Sequence, residues 1–275
     1  MTSGEHTTPR PLVDWPLKAR RAVGVVLTDI DDTLTLHGRL PAVAYAAMER
    51  LQGAGVRVVP ITGRPAGWCD HIARMWPVDG VVGENGAFWF RYDPGERRLV
   101  RRFLADEATR AANRERLAAL RERILAAVPG SALASDQLYR EADLAIDYCE
   151  DVSPLPPAAV RRIVELFEEA GATAKVSSIH VNGWFGAYDK LTMTRLLARE
   201  AFGLDLDGAK ERFAFAGDSP NDAPMFAFFP NGVGVANIRR FLGEIATPPA
   251  WITAAEGGHG FAELADAILA ARGAA

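Results

Sequence analysis

Hydrophobic positions along the chain fall into two textures. Toward both ends the apolar runs are short and unbroken: AVGVVLT at 22–28, VRVVPI at 56–61, VDGVVGENGA at 78–87, RFAFAGD at 212–218, GVGVAN at 232–237 and AWIT at 250–253. Runs rich in β-branched residues without alternation suit strands buried on both faces, as in a parallel sheet. Between them lie stretches with helical spacing. PAVAYAAMERLQ is opened by Pro41 and stopped by Gly53 and Gly55, and LTMTRLLAREAFG, PNDAPMFAFF and FAELADAILAA follow in the second half. Strand, helix and strand in this order predict βαβ units.

From about Phe88 the pattern changes. FWFRYDPGERRLVRRFL predicts a hairpin turning at Asp93, Pro94 and Gly95. A charged helix (TRAANRERLAALRERI), an extended LAIDYCE, a helix introduced by Pro156 and Pro157, and the strands ATAKVS and SIHVNGWF come next. Hairpins alternating with helices predict an α+β unit. The expected architecture is an α/β, doubly wound parallel Rossmann-like core at 21–87 and 188–275, interrupted by an inserted α+β cap at 88–187, with residues 1–20 a flexible lead-in.

Length permits this division, since 275 residues, 49% of them hydrophobic, can bury either one large core or two modest ones. A formal charge of −4 with dispersed basic residues excludes a nucleic-acid footprint. The apolar runs are too short to span a bilayer, and the N-terminus lacks a secretory pattern. Cys69 and Cys149 stand in neither zinc nor redox spacing, which fits a reducing cytoplasm. The expected partner is a small molecule; monomer and dimer are both open.

In a parallel α/β sheet, ligands gather at the carboxyl ends of the strands. Those ends carry Asp29 and Asp31, then Thr62 and Gly63, then Asp218, while Lys190 stands at a helix start. Asp29 and Asp31 are two apart, so in extended backbone their carboxylates share a side. Asp218 and Asp222 add more negative charge, with no His or Cys at ligand spacing, so the site calls for a hard cation; Mg²⁺ is the expected cofactor. With the metal and Lys190 offsetting repulsion between anions, a carboxylate can attack phosphorus. Asp31 is placed to act as acid and then as base. Thr62 and the backbone around Gly63 would bind phosphoryl oxygens, with Lys190 as a point charge. Arg64 and Asn85, just past strand ends, are candidate substrate contacts. Ser178, His180 and Asn182 alternate along one predicted strand; their shared face either looks down on the site or faces solvent. Trp89, Trp184 and Phe185 read as cap core rather than a sugar-stacking platform.

Taken in order, DIDDTLT, Thr62 in ITGR, Lys190 in GAYDKLTMTRLL, and GDSPND resemble the four motifs of the haloacid dehalogenase-like hydrolase superfamily. The cap position and the segments ENGA and GVGVAN are similar to the branch holding Cof-type, sucrose-phosphate, trehalose-phosphate and mannosyl-3-phosphoglycerate phosphatases. The resemblance implies that Asp29 is the nucleophile, that Asp31 is the acid/base and gives a backbone carbonyl to Mg²⁺, and that Asp218 is a metal ligand. Asn221 and Asp222 would orient metal waters or substrate. Asp32 stands where this branch often has Gly. The implied activity is hydrolysis of a small phosphorylated metabolite, a sugar or sugar-acid phosphate, through an aspartyl phosphate. A phosphomutase or phosphotransferase with the same machinery is the nearest alternative; a receiver-like signalling module or an inactive binding protein stand further off.

Overall fold

The structure is a computed structural model that describes residues 8–273. In chain order its regular elements begin with β1 (Arg10–Pro11), α1 (Leu17–Ala22), β2 (Val25–Thr28), α2 (Ala42–Gly53), β3 (Arg57–Pro60), α3 (Ala66–Met75) and β4 (Val81–Gly83). A hairpin, β5 (Phe88–Asp93) and β6 (Arg98–Phe103), leads to α4 (Glu107–Ala127), β7 (Ala132–Leu133), β8 (Asp143–Asp147), α5 (Pro157–Glu169), β9 (Thr173–Val176) and β10 (His180–Trp184). The chain then returns through α6 (Lys190–Phe202), β11 (Phe213–Gly217), α7 (Ala223–Phe228), β12 (Gly232–Gly234), β13 (Trp251–Ile252) and α8 (Gly257–Arg272).

Six parallel strands in the order β1-β13-β12-β11-β2-β3 form the central sheet. Their unbroken apolar sequence has a direct cause: alternate residues feed two separate cores. Val26, Val58, Ala214 and Ala216 pack with α2, α3 and α8 on one face, and Val25, Leu27, Val59, Phe213 and Phe215 with α6 and α7 on the other. This is the doubly wound arrangement that the run pattern predicts. A four-stranded antiparallel sheet, β7-β8-β10-β9, covered by α4 and α5, forms the cap around its own core of Leu120, Ile124, Ile146, Phe167 and Val181.

Two expectations fail. The hairpin β5–β6, assigned to the cap, belongs to the core domain: it pairs antiparallel with β4, and Phe88 and Phe90 sit in one core cluster and Trp89 in the other. Its inward residues are aromatic and stack on one another, Phe88 on Phe90 at 4.3 Å, so burial rather than sequence continuity decides its allegiance. The flexible lead-in also fails where it is described, with residues 1–7 outside the described part. Arg10 and Pro11 extend the sheet beside β13, and Trp15 is buried, stacked on Trp251 and donating Nε1–H to Asn231 at 3.2 Å. A tryptophan three residues after Leu12, both of them buried, is the signal for that docking. Among the described residues no helix is long and apolar enough to cross a membrane.

Core and cap meet at Glu84. Its backbone takes φ +43°, Asn85 follows at +54° and Gly86 at +110°, where a Cβ would lie 2.1 Å from the carbonyl oxygen of Asp189. The turn buries the Glu84 carboxylate completely, where it accepts N–H bonds from Ala66 on the core and from Glu141, Ala142 and Asp143 on the cap. Burial pushes this carboxyl up to about 8 even against donors that favour its charged form. Glu84→Gln turns an NH₂ toward at least one of those donors, and we expect it to cost about 1–3 kcal/mol, read as a lower Tm and as faster proteolysis near 141–143.

Candidate active site

The carboxyl end of β2 delivers Asp29, whose N–H bonds to Ala216 O on β11 and so fixes it beside the end of that strand. β11 ends at Gly217, and Asp218 follows. Gly217 has no side chain for a reason: a Cβ there would lie 2.5 Å from Asp222 Oδ2. The Asp222 carboxylate therefore folds back on the strand end, with Oδ2 accepting from the Asp218 N–H at 3.1 Å. Lys190 opens α6, whose N-terminus is capped by Asp189 accepting from Thr192 N–H. Its ammonium reaches Asp29 at 2.7 Å and Asp222 at 2.9 Å.

Asp29, Asp218 and Asp222 each offer an oxygen within 4.8 Å of the others, and all three are buried. Burial pushes the Asp29 carboxyl up to about 7, against the lowering effect of Lys190 and with Asp222 and Asp31 adding to the rise. Asp218 is likewise pushed well up by burial and then by Asp222 and Asp29. Lys190 is held charged by the two carboxylates despite its burial. Three hard oxygen donors whose mutual repulsion Lys190 offsets only in part are chemically suited to a small divalent cation such as Mg²⁺. Asp218 is aimed from two sides: Thr33 Oγ1 donates to one oxygen at 3.0 Å and Asn237 Nδ2 to the other at 3.4 Å. Asn237 also donates to Asp32 O and accepts from Gly257 N–H, tying β12, the β2 loop and α8 together behind the cluster. Asp32 itself has φ +58°, which accounts for a position where Gly is at ease and Asp tolerated.

A narrow cleft of about 30 Å³ lies between this floor and the cap. Asp29, Asp31 and Gly63 line it from the core together with Arg64, Asn85 and Asn221; Ser178, His180 and Asn182 line it from the cap. The three alternating cap residues thus face the site, although Ser178 precedes β10 and only His180 and Asn182 lie in it. Thr62 is fully buried behind the cleft, its Oγ1 accepting from Arg64 N–H. Asn85 keeps a buried Nδ2 with no hydrogen-bond partner beside Gly63. Asn221 accepts from Ser219 Oγ at 2.8 Å.

Asp31 and Arg64 depart most from expectation. The Asp31 carboxylate is turned away from the three-carboxylate cluster into a two-pronged pair with Arg64, Nε to Oδ2 at 3.0 Å and Nη2 to Oδ1 at 2.8 Å. Arg64 also meets Glu150 at 3.3 Å and Asp136 at 3.5 Å, both from the cap. Its guanidinium is thus committed to carboxylates rather than open to substrate. Sequence reasoning missed Glu84, Asp136, Arg140, Glu150 and Asn237. The one available signal was the charged pair Arg140 and Asp143 bracketing the start of an otherwise apolar strand, which foretells a buried ion pair: Arg140 Nη1 lies 2.9 Å from Asp143, and its Nη2 3.0 Å from Asp136.

Comparisons with known proteins agree with this fold. Residues 26–113 match the family model of the haloacid dehalogenase-like hydrolases. Comparison with curated protein sequences finds no match. Among solved structures, a Thermoplasma acidophilum protein superposes with a TM-score of 0.68 at 18% identity, covering 90% of this chain and 98% of its own. A HAD/COF-like hydrolase from Plasmodium vivax, described as putative, gives 0.65 at 15% identity, covering 93% and 99%. The sucrose-phosphatase of Synechocystis, solved with sucrose and phosphate, gives 0.62 at 15% identity, covering 90% and 98%.

Proposed function

We propose that this chain, a haloacid dehalogenase-like hydrolase by the match at residues 26–113 and by its fold, is a Mg²⁺-dependent phosphatase of small phosphorylated metabolites of the sugar or sugar-acid phosphate class. The observation that carries the reading is the buried Asp29–Lys190–Asp222 chain with Asp218 beside it: a nucleophilic carboxylate, a cation against it and a metal-fitting set of oxygens at converging strand ends.

In the first step an Asp29 oxygen attacks phosphorus, the ester P–O bond breaks, and Asp31, having turned out of its pair with Arg64 and taken a proton from solvent, gives that proton to the departing alkoxide. In the second, water attacks phosphorus, Asp31 takes the water's proton, and the Asp29 carboxylate is released. Asp29, Asp218 and Asp222 would hold Mg²⁺, which supplies charge stabilisation of the phosphoryl oxygens. Lys190 aligns Asp29 and offsets the repulsion between two anions. Gly63 and the orphaned Asn85 Nδ2 supply donors to the phosphoryl group. The cleft has room for about one water, so the ester enters only when the cap lifts, and closure then excludes bulk solvent. The two thiols are unpaired, which suits a cytoplasmic enzyme.

A phosphate-release screen over phosphorylated metabolites with Mg²⁺ tests the reading; release from none of them overturns it. The carboxylate cluster makes a separate prediction. Mg²⁺ should raise Tm, by the equivalent of about 2.7 kcal/mol at one hundred times its Kd, and chelator should abolish turnover. A melting curve indifferent to Mg²⁺ would contradict the assignment of Asp29, Asp218 and Asp222 as its ligands.

A further inference from the structure

We propose that Glu150, on the cap, excludes acidic leaving groups and so restricts the enzyme to phosphate esters of uncharged alcohols. This rests on the phosphatase reading and narrows it, separating sugar phosphates from sugar-acid phosphates and bisphosphates.

The cleft is lined by three side chains that could receive a second anionic group on the substrate: Arg64, Arg140 and His180. The two arginines are already matched, and His180 has a carboxylate close by although its Nε2 makes no aligned hydrogen bond. Arg140, 9% exposed, gives Nε and Nη2 to Asp136, and its Nη1 to Asp143 and to Gly63 O at 3.0 Å. Arg64, 7% exposed, gives its fork to Asp31 and shares Nη2 with Glu150. The His180 Nε2 lies 2.8 Å from Glu150 Oε2. Glu150, like Asp136, thus meets two of the three candidates at once, and it is the one that reaches His180. It does so from an exposed position on the cap, outside the cleft lining, anchored by its own N–H to Asp147 Oδ1. The Arg64 and His180 contacts hold it well below the usual carboxylate range, at about 2, so it is charged throughout the working pH range.

A carboxylate or second phosphate on the leaving alcohol would therefore enter a closed cleft holding Asp29, Asp31 and the reacting phosphate. It would find only guanidinium groups whose charge is already neutralised, and an imidazole that already faces a carboxylate. Burying an anion without an unmatched partner is costly. Hydroxyl groups meet no such penalty, because Ser177, Ser178 and Asn221 also line the cleft and offer uncharged donors and acceptors. Glu150 touches no reacting atom in this account; it is a positioning residue that sets specificity through Arg64 and His180.

The test compares kcat/KM for matched esters that differ in leaving-group charge: glycerol 3-phosphate against 3-phosphoglycerate, and glucose 6-phosphate against 6-phosphogluconate. The enzymes are the wild type, Glu150→Gln and Glu150→Asp, each with Mg²⁺. The wild type should favour the neutral member of each pair by about tenfold or more, the worth of one charge-assisted contact. Glu150→Gln removes the carboxylate facing His180 and one of the three facing Arg64, whose fork stays on Asp31, and should shift the acid-to-neutral ratio toward the acid by a similar factor, mainly through the acid's KM. Glu150→Asp should retain the neutral preference. A purely structural role would lower activity on both members alike and leave the ratio fixed, and that result overturns the proposal. So does a wild type that prefers the acids, an outcome independent of how the variants fold. Hydrolysis of no ester at all would instead remove the phosphatase reading, and the proposal with it.

Discussion

Asp29→Asn is expected to lower turnover by about 10⁴-fold or more while leaving the protein as stable as the wild type, or more so. The two halves of this result have one cause. Asp29 is buried beside Asp218 and Asp222, and burial with like charge has already pushed its carboxyl up to about 7, so the ionised nucleophile is held at a cost to the fold. An amide of the same shape cannot attack phosphorus, yet it removes one of the repelling charges. Lys190 keeps its other partner, Asp222, at 2.9 Å. Phosphate release and a thermal melt on the same preparation check both halves. Substantial residual activity would remove Asp29 from the chemistry, and a collapse in Tm would mean that the residue is structural.

Lys190→Met should have the second largest effect and the opposite sign on stability. It leaves three carboxylates within 4.8 Å with the ammonium shared by two of them, Asp29 and Asp222, gone, in a site where the lysine is only 6% exposed. Breaking a buried pair of this kind costs about 3–5 kcal/mol, and loss of one charge-stabilising group should lower kcat by about 10²–10³-fold. The destabilisation should be largest in chelator and should shrink as Mg²⁺ rises, because a divalent cation answers the same repulsion. Melting curves of the variant across a Mg²⁺ series measure this directly. Equal destabilisation with and without metal would show that Lys190 supports the helix start of α6 rather than the carboxylate cluster.

What could be read from the chain alone follows from what local pattern encodes. The parallel strands were legible because residues buried on both faces must be apolar in succession, as in Val25 to Leu27 and Phe213 to Ala216. The floor of the site was legible because strand ends and helix starts fix Asp29, Asp218 and Lys190 within a residue or two of those runs. The hairpin 88–103 was misplaced because its turn residues announce a hairpin but say nothing about what covers Phe88 and Phe90. Trp15 was misread for a similar reason: its partners, Trp251 and Asn231, lie more than 200 residues away. The predicted helix at 220–229 is in fact a 3₁₀ turn at Pro220–Asp222 and the short α7, since the fold-back of Asp222 onto Gly217 claims its first residues. The roof of the site was the least legible part. Arg64, Asp136 with Arg140, Glu150 and His180 are drawn from four separate stretches, and only closure of the cap on the core brings Arg64 to the others. The identity of Arg64 is plain in ITGR, but its commitment to carboxylates rather than phosphate is a property of tertiary placement.

The central claim is that Asp29 carries the phosphoryl group during turnover. Its most direct test is acid quench of the Mg²⁺-loaded enzyme during hydrolysis of its best substrate, followed by proteolysis and mass spectrometry of the peptide holding Asp29, Asp31 and Asp32. The account predicts a phosphoryl adduct that fragments to Asp29 and disappears when substrate is exhausted. Continued turnover with no adduct, or an adduct on Asp31 or elsewhere, would contradict it.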